Sequence, residues 1–243
     1  DEYRVMPSFY FFGAGNRGVE LVTEFAAQIA DLMQHHGGEN RRLAIDTLSH
    51  TGCEALRARG LELVEGEQIT ETARALKSAE ELELMRVSME VCEASMDLMK
   101  KELRPGVREN ALWAKLHEAN IRLGGEWIET RLLSSGPRTN PWFRECSMRT
   151  IEKGDMVSFD TDLIGPYGYC SDISRSWVCG TSPSSEQIRL YDTARDQIEH
   201  NISVLKAGKS FREVSEQCWK IPDDFLSHRY TSLIHGVGLA DEY

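Results

Sequence analysis

Between residues 82 and 99 the apolar positions fall on Leu82, Met85, Met89, Cys92, Met96 and Met99, at spacings of three, four, three, four and three. That period puts them on one face of a helix. Core packing is the ordinary use of such a methionine stripe, because thioether chains fill irregular gaps. Arg104-Pro105-Gly106 ends the helix, since proline disfavours helical backbone in the residue before it. A second amphipathic helix over 108–123 carries Leu112, Leu116, Ala119 and Leu123. Strand-like runs follow at 126–134, 156–164 and 169–178, then helical patterns at 184–205 and 211–219, and a last strand at 229–234. Helix pair, strands, helix pair, strand predicts an α+β domain over 78–243.

The pattern upstream differs. Residues 8–12 (SFYFF) read as a strand, and 18–35 as a helix with Leu21, Phe25, Ile29 and Leu32 on one face, stopped by Gly37-Gly38. Strand 43–47, helix 50–59 and strand 61–66 complete an alternation that predicts a small α/β domain over 1–77 with a partly parallel sheet. The start at Asp1 and the stop at Tyr243 lead to the expectation of a trimmed chain whose first strands are missing.

Candidate chemistry concentrates in 158–177, SFDTDLIGPYGYCSDISRSW. Treated as a hairpin turning at Gly165-Pro166-Tyr167-Gly168 and centred on Tyr167, this segment sets Asp162 opposite Asp172. Asp160, two residues from Asp162, shares that face. Like charges facing across a ladder are destabilising, so the cluster calls for a compensator. Arg175 alternates to the opposite face. A divalent cation suits carboxylate oxygens better, and two such ions about 3.5–4 Å apart can share bridging carboxylates. The plain alternative is a solvated acidic hairpin end, against which Phe159, Ile164, Ile173 and Trp177 speak. His235 follows an apolar run and opens HGVG. Imidazole is a common ligand of iron, zinc and manganese, although a lone histidine before glycines is more often structural.

Composition narrows the class. The net charge of −11 argues against non-specific nucleic-acid binding, which needs basic surface. No apolar run reaches the ~20 residues of a membrane span, and no signal peptide is visible. Six scattered cysteines without a CxxC read as reduced thiols of a cytoplasmic protein.

At these residues the sequence resembles metallopeptidase family M24, the pita-bread fold of methionine aminopeptidase, aminopeptidase P, prolidase and creatinase. Gly168-Tyr169-Cys170-Ser171-Asp172 and His235-Gly236-Val237-Gly238 match its Gly-Tyr-x-x-Asp and His-Gly-x-Gly motifs. The resemblance implies a pita-bread domain over 78–243, preceded by a creatinase-type domain. It also implies a centre of two metal ions held by aspartates, a histidine and two glutamates, the latter expected beyond Tyr243. Three departures mark a branch: Asp-Thr-Asp replaces a single aspartate, Trp142 stands where the peptidases carry a catalytic histidine, and Glu242 stands where they carry another.

Those departures, with GGEWIETRLLSSGPRTNPWF and HGVGLADEY, are similar to the dimethylsulfoniopropionate lyase branch of the family. That likeness implies Asp160, Asp162, Asp172 and His235 as metal ligands, iron as the favoured metal with zinc or manganese as alternatives, and Asp241 as catalytic base. It implies Tyr230 as a substrate-binding residue, and chemistry adds Trp142, whose ring would face a sulfonium. The implied partners are a small zwitterionic sulfonium substrate and a second copy of the chain, with no nucleic acid and no membrane. The rival expectations are an Xaa-Pro peptidase on the same scaffold and a non-catalytic binding module of the same family.

Overall fold

Helices α1 (Phe11–Ala14) and α2 (Gly18–Gly37), strand β1 (Arg42–Ile45), helix α3 (His50–Ala58), strand β2 (Glu62–Glu65) and helix α4 (Glu67–Ala75) make the first part of the chain. The computed structural model describes residues 3–241 and divides into two units, Asp1–Leu76 and Lys77–Tyr243. In the first unit β1 and β2 pair in parallel, with Leu43 beside Leu63. The core gathers Ala26 of α2, Leu56 of α3 and Leu61. Ser49 starts α3 by accepting the Gly52 N–H, a cap that satisfies one orphan donor. The strand expected at 8–12 is not formed, because Phe11 and Phe12 open α1 and are exposed. Phe9 instead packs against Phe25 at 4.8 Å between ring centres. Aromatic β preference reflects packing on a sheet, and no strand lies alongside 8–12 among the described residues.

The second unit is α+β. Helix α5 (Ala79–Glu102) opens with a reciprocal cap in which Ser78 accepts from Glu81 N and Glu81 accepts from Ser78 N. It pairs with α6 (Glu109–Arg122). The buried side of α5 is Ser88, Val91, Cys92, Ser95, Met96 and Met99, so the expected stripe holds only in its second half. Leu82 and Met89 are exposed. Serine displaces larger residues at position 88 because backbone runs close there: a Cβ on Gly165 would lie 2.2 Å from Ser88 Oγ, which donates to the Tyr169 carbonyl at 2.7 Å.

Strands β3 (Trp127–Ile128), β4 (Leu133–Ser135), β5 (Met156–Phe159), β6 (Leu163–Ile164), β7 (Cys170–Ser171) and β8 (Arg175–Val178) form two antiparallel sheets, ordered β3-β6-β7 and β4-β5-β8. Against the helix pair they enclose Met96, Met99, Leu112, Leu116, Leu133, Val157, Phe159 and Leu163. Each fully buried side chain of this size contributes roughly 1.5–3 kcal/mol. Helices α7 (Ser185–Val204), α8 (Phe211–Gln217) and α9 (Asp223–Leu226) follow. Ser184 with Gln187 and Ser210 with Glu213 cap α7 and α8 in the manner of Ser78 and Glu81. No strand forms at 229–234. Its apolar alternation has no neighbouring ladder among the described residues, and strand pairing needs one. No helix among the described residues is long and apolar enough to cross a membrane.

Candidate metal centre

The two hairpin arms pair with one register throughout. Met156 faces Val178, Phe159 faces Arg175, Leu163 faces Ser171 and Ile164 faces Cys170, a centre at Tyr167. Both arms break between the two sheets, at 160–162 and at 172–174. The aspartates sit in that break rather than on a continuous ladder. Asp162 takes a left-handed backbone, φ 38°, a conformation that aspartate tolerates better than bulkier residues. Thr161 is fully buried and explains why a residue separates the aspartates. Its hydroxyl donates to the Ser171 carbonyl at 3.0 Å and accepts from Ile173 N at 2.8 Å. The threonine stitches the arms together while Asp160 and Asp162 both line the cavity.

Carboxylate oxygens of Asp160, Asp162 and Asp172 lie within 4.8 Å of one another. An ionised pair at that distance repels by about 3–4 kcal/mol at an effective dielectric near 20. Ser174 donates to Asp160 at 2.8 Å and Thr130 donates to Asp162, but hydroxyls do not cancel three charges. Arg175 does not line the cavity and donates to the Ser174 carbonyl. Burial, hydrogen bonding and charge from Asp160, and the charges of Asp241 and Asp162 push Asp172 up to about 9. A group in this condition holds a proton near neutrality unless a cation takes its place.

His235 reaches the cluster through the backbone, since Cys170 N of β7 donates to the Gly238 carbonyl at 2.7 Å. Its Nε2 lies 3.3 Å from Asp172 Oδ2, and its Nδ1 lies 3.0 Å from the Gly236 carbonyl. An Nδ1–H donated to that carbonyl leaves the Nε2 lone pair facing the carboxylates, the arrangement of an imidazole ligand. Three hard carboxylates and one imidazole fit a divalent transition metal.

A cavity of about 1070 Å³ opens over the cluster, and Asp160, Asp162, Asp172, His235, Asp241, Trp142 and Tyr230 all line it. Glu242 lies outside the described residues. Sequence reasoning missed Phe143, whose ring is 5.4 Å from that of Tyr230; its only signal was adjacency to Trp142. It also missed the buried anchor of their loop. Glu109 of α6 is fully buried and accepts from Ser135 N and Oγ at 2.9 and 2.7 Å, from Ser147 N and Oγ at 2.9 and 2.6 Å, and from Arg138. Burial alone would push Glu109 up, but the hydrogen bonds from Ser147, Ser135 and Arg138 hold it below the usual glutamate range.

The sequence signature of "Metallopeptidase family M24" matches residues 83–242. The chain is 42% identical over 248 residues to the dimethylsulfoniopropionate lyase DddP of Roseovarius nubinhibens, a match covering 100% of this chain and 56% of that protein. It is 27% identical over 199 residues to the Xaa-Pro dipeptidase of Pyrococcus furiosus, covering 79% of this chain and 56% of that one. The chain thus spans about half the length of these curated relatives. Among solved structures, the Xaa-Pro dipeptidase from Bacillus anthracis superposes with a TM-score of 0.76 at 22% identity, over 90% of this chain and 62% of that one. The prolidase from Pyrococcus furiosus gives 0.75 at 25% identity, over 88% and 64%. These likenesses identify the helix pair and its strands as part of a pita-bread fold, and the chain belongs to metallopeptidase family M24.

Proposed function

We propose that this chain carries the metal-binding heart of a lyase that splits dimethylsulfoniopropionate into dimethyl sulfide and acrylate. The observation that carries the reading is the meeting of Asp160, Asp162, Asp172 and His235 with Asp241, Trp142 and Tyr230 around one cavity, in a chain 42% identical over its whole length to a protein named for that reaction. Asp160, Asp162, Asp172 and His235 would hold the divalent metal, with iron favoured, two ions expected, and zinc or manganese as alternatives. Bound there, the metal supplies Lewis-acid stabilisation of charge developing on the substrate carboxylate.

The chain's own groups do the rest. Asp241, on the cavity wall, takes the proton from the carbon next to the carboxylate. The electron pair of that C–H bond becomes the new C=C bond, and the C–S pair leaves on sulfur as neutral dimethyl sulfide. The proton ends on Asp241. A neutral sulfide needs no acid to protonate it, so Trp142 can stand where the peptidases keep a histidine. Tyr230 and Trp142 would bound the substrate on the side away from the carboxylates. A homodimer in the cytoplasm belongs to the same proposal.

The fold likeness to Xaa-Pro dipeptidases makes peptide hydrolysis the reading to test alongside it. Full-length, iron-loaded protein is mixed with dimethylsulfoniopropionate and the headspace is analysed by gas chromatography, while a parallel sample receives a fluorogenic Xaa-Pro substrate. Dimethyl sulfide without peptide cleavage is expected. Peptide cleavage without dimethyl sulfide would overturn the lyase reading.

A further inference from the structure

We infer that Phe143, with its ring set against Tyr230, makes the cavity prefer a cationic sulfonium over a neutral group of the same shape. This rests on the lyase reading for the identity of the cation. Among the described residues, positive φ on a non-glycine residue occurs at Phe143 (67°), Asp162 (38°) and Tyr167 (65°). Two of these, Phe143 and Asp162, line the same cavity. Left-handed backbone on a bulky residue persists only where the surroundings fix it, and such residues gather at ligand sites.

The surroundings that fix Phe143 are visible. Its loop leaves β4 at Ser135 and returns at Ser147, and Glu109 clamps both ends. Within the loop Arg138 donates to the Glu145 carbonyl at 2.9 Å, and Cys146 N donates to the Arg131 carbonyl at 2.7 Å. On this frame the Phe143 ring lies 5.4 Å from Tyr230 at 35° between planes, and 6.2 Å from Trp142 at 50°. The ring is about half exposed, so its face is available to a ligand.

Charge points the same way. The cavity wall carries Glu129, Glu145 and Asp241 beyond the three clustered aspartates, and no lysine or arginine lines it among the described residues, although Glu145 is paired with Arg131. Leu233, Leu239 and Ile198 supply apolar surface suited to methyl groups. An aromatic face near negative charge is a site for an onium cation, and a good cation–π contact changes affinity about two- to thirty-fold.

The test uses full-length, metal-loaded protein and two ligands that cannot undergo the elimination, dimethylsulfonioacetate and its carbon isostere 3-methylbutanoate, which keeps the carboxylate and lacks the positive charge. Calorimetry gives the ratio of their dissociation constants in the wild type, in Phe143→Leu, which loses the π face, and in Phe143→Tyr, which keeps it. The wild type is expected to favour the sulfonium. Phe143→Leu should lower that preference at least about threefold, and Phe143→Tyr should keep it. An undiminished preference in Phe143→Leu, equal weakening of both ligands, or a wild type without preference would each overturn the inference. Headspace dimethyl sulfide, measured on a separate wild-type sample given dimethylsulfoniopropionate, bears on the lyase reading alone, because neither ligand of the binding ratio can be turned over.

Discussion

Nε2 of His235 lies 3.3 Å from Oδ2 of Asp172, although the two residues come from segments more than sixty positions apart. The bridge is the hydrogen bond from Cys170 N to the Gly238 carbonyl, which ties the HGVG segment to the strand leading into Asp172. If both groups hold metal, Asp172→Ala and His235→Ala should each lower metal per chain at least tenfold at limiting metal, since lost ligands weaken binding steeply. Elemental analysis after gel filtration reads this directly. Full occupancy in both variants would end the metal proposal.

The pH dependence of stability has a definite sign. Asp172 is pushed up to about 9 from 3.8, first by burial and then by its carboxylate neighbours. Between those values the folded, metal-free chain binds more protons than the unfolded one, so this group makes stability fall as pH rises from about 4 to about 9. Glu109 acts oppositely. Held below its ordinary range, it contributes stability that is present above the unfolded value and lost as pH falls through the folded one. In chelator, the melting temperature should therefore decline from mildly acid to mildly alkaline pH. Saturating metal replaces the Asp172 proton and should flatten the decline. Melting curves in chelator that rise steadily over the same range would contradict the assignment.

Glu109→Gln tests the clamp beneath the aromatic loop. The variant keeps the shape but turns one acceptor into a donor facing Ser135 or Ser147, and it strips Arg138 of its counter-charge. Breaking such a pair costs about 3–5 kcal/mol when both partners are buried. Arg138 is a quarter exposed, so roughly 2–3 kcal/mol is expected. Urea melts measure the loss. Because the loop carries Trp142 and Phe143, the Michaelis constant for the sulfonium should rise more than turnover falls. A stability loss with unchanged kinetics would make Glu109 purely structural.

Asp241→Asn separates base from ligand. Asparagine keeps the shape of the side chain and cannot take a proton, so turnover should fall by at least about a hundredfold, within the usual worth of a general base. Metal content and substrate affinity should stay near wild type. Turnover within a few-fold of wild type would remove Asp241 from the chemistry.

Much of the site was legible because a turn fixes a register. Gly165-Pro166-Tyr167-Gly168 set the centre of the hairpin, and the centre alone put Asp162 and Asp172 at matching positions of the two arms, but not the break in the ladder in which both lie. The helices α5 and α7 were readable from their apolar period, although only the second half of the α5 stripe is buried. What stayed hidden depends on partners distant in sequence. Residues 8–12 and 229–234 have strand composition, but a ladder needs a neighbour that composition does not name. Glu109 looks like any acidic residue in a first helical turn, where the helix dipole favours it. Only the fold brings Ser135 and Ser147 onto it. The left-handed backbone of Phe143 is likewise a decision of its loop, not of its residue type.

Thr161 offers the sharpest test of how the aspartates are held, because it lines no part of the cavity and is flanked by two residues that do. Its hydroxyl accepts from Ile173 N and donates to the Ser171 carbonyl. Thr161→Val preserves the branched shape and deletes both bonds. The Ile173 N–H is then left without its acceptor in a half-buried setting, which costs about 1–3 kcal/mol. If the threonine serves only stability, metal affinity should survive that loss. If it sets the spacing of Asp160 and Asp162 against Asp172, the dissociation constant for metal should rise about tenfold or more, as loss of a residue that orients ligands does. Thr161→Ser restores the hydroxyl and should recover most of the affinity while losing one methyl of packing. Chelator competition on the three proteins distinguishes the outcomes. Equal affinities in the wild type and Thr161→Val would mean that the aspartates hold their places without the stitch between the arms.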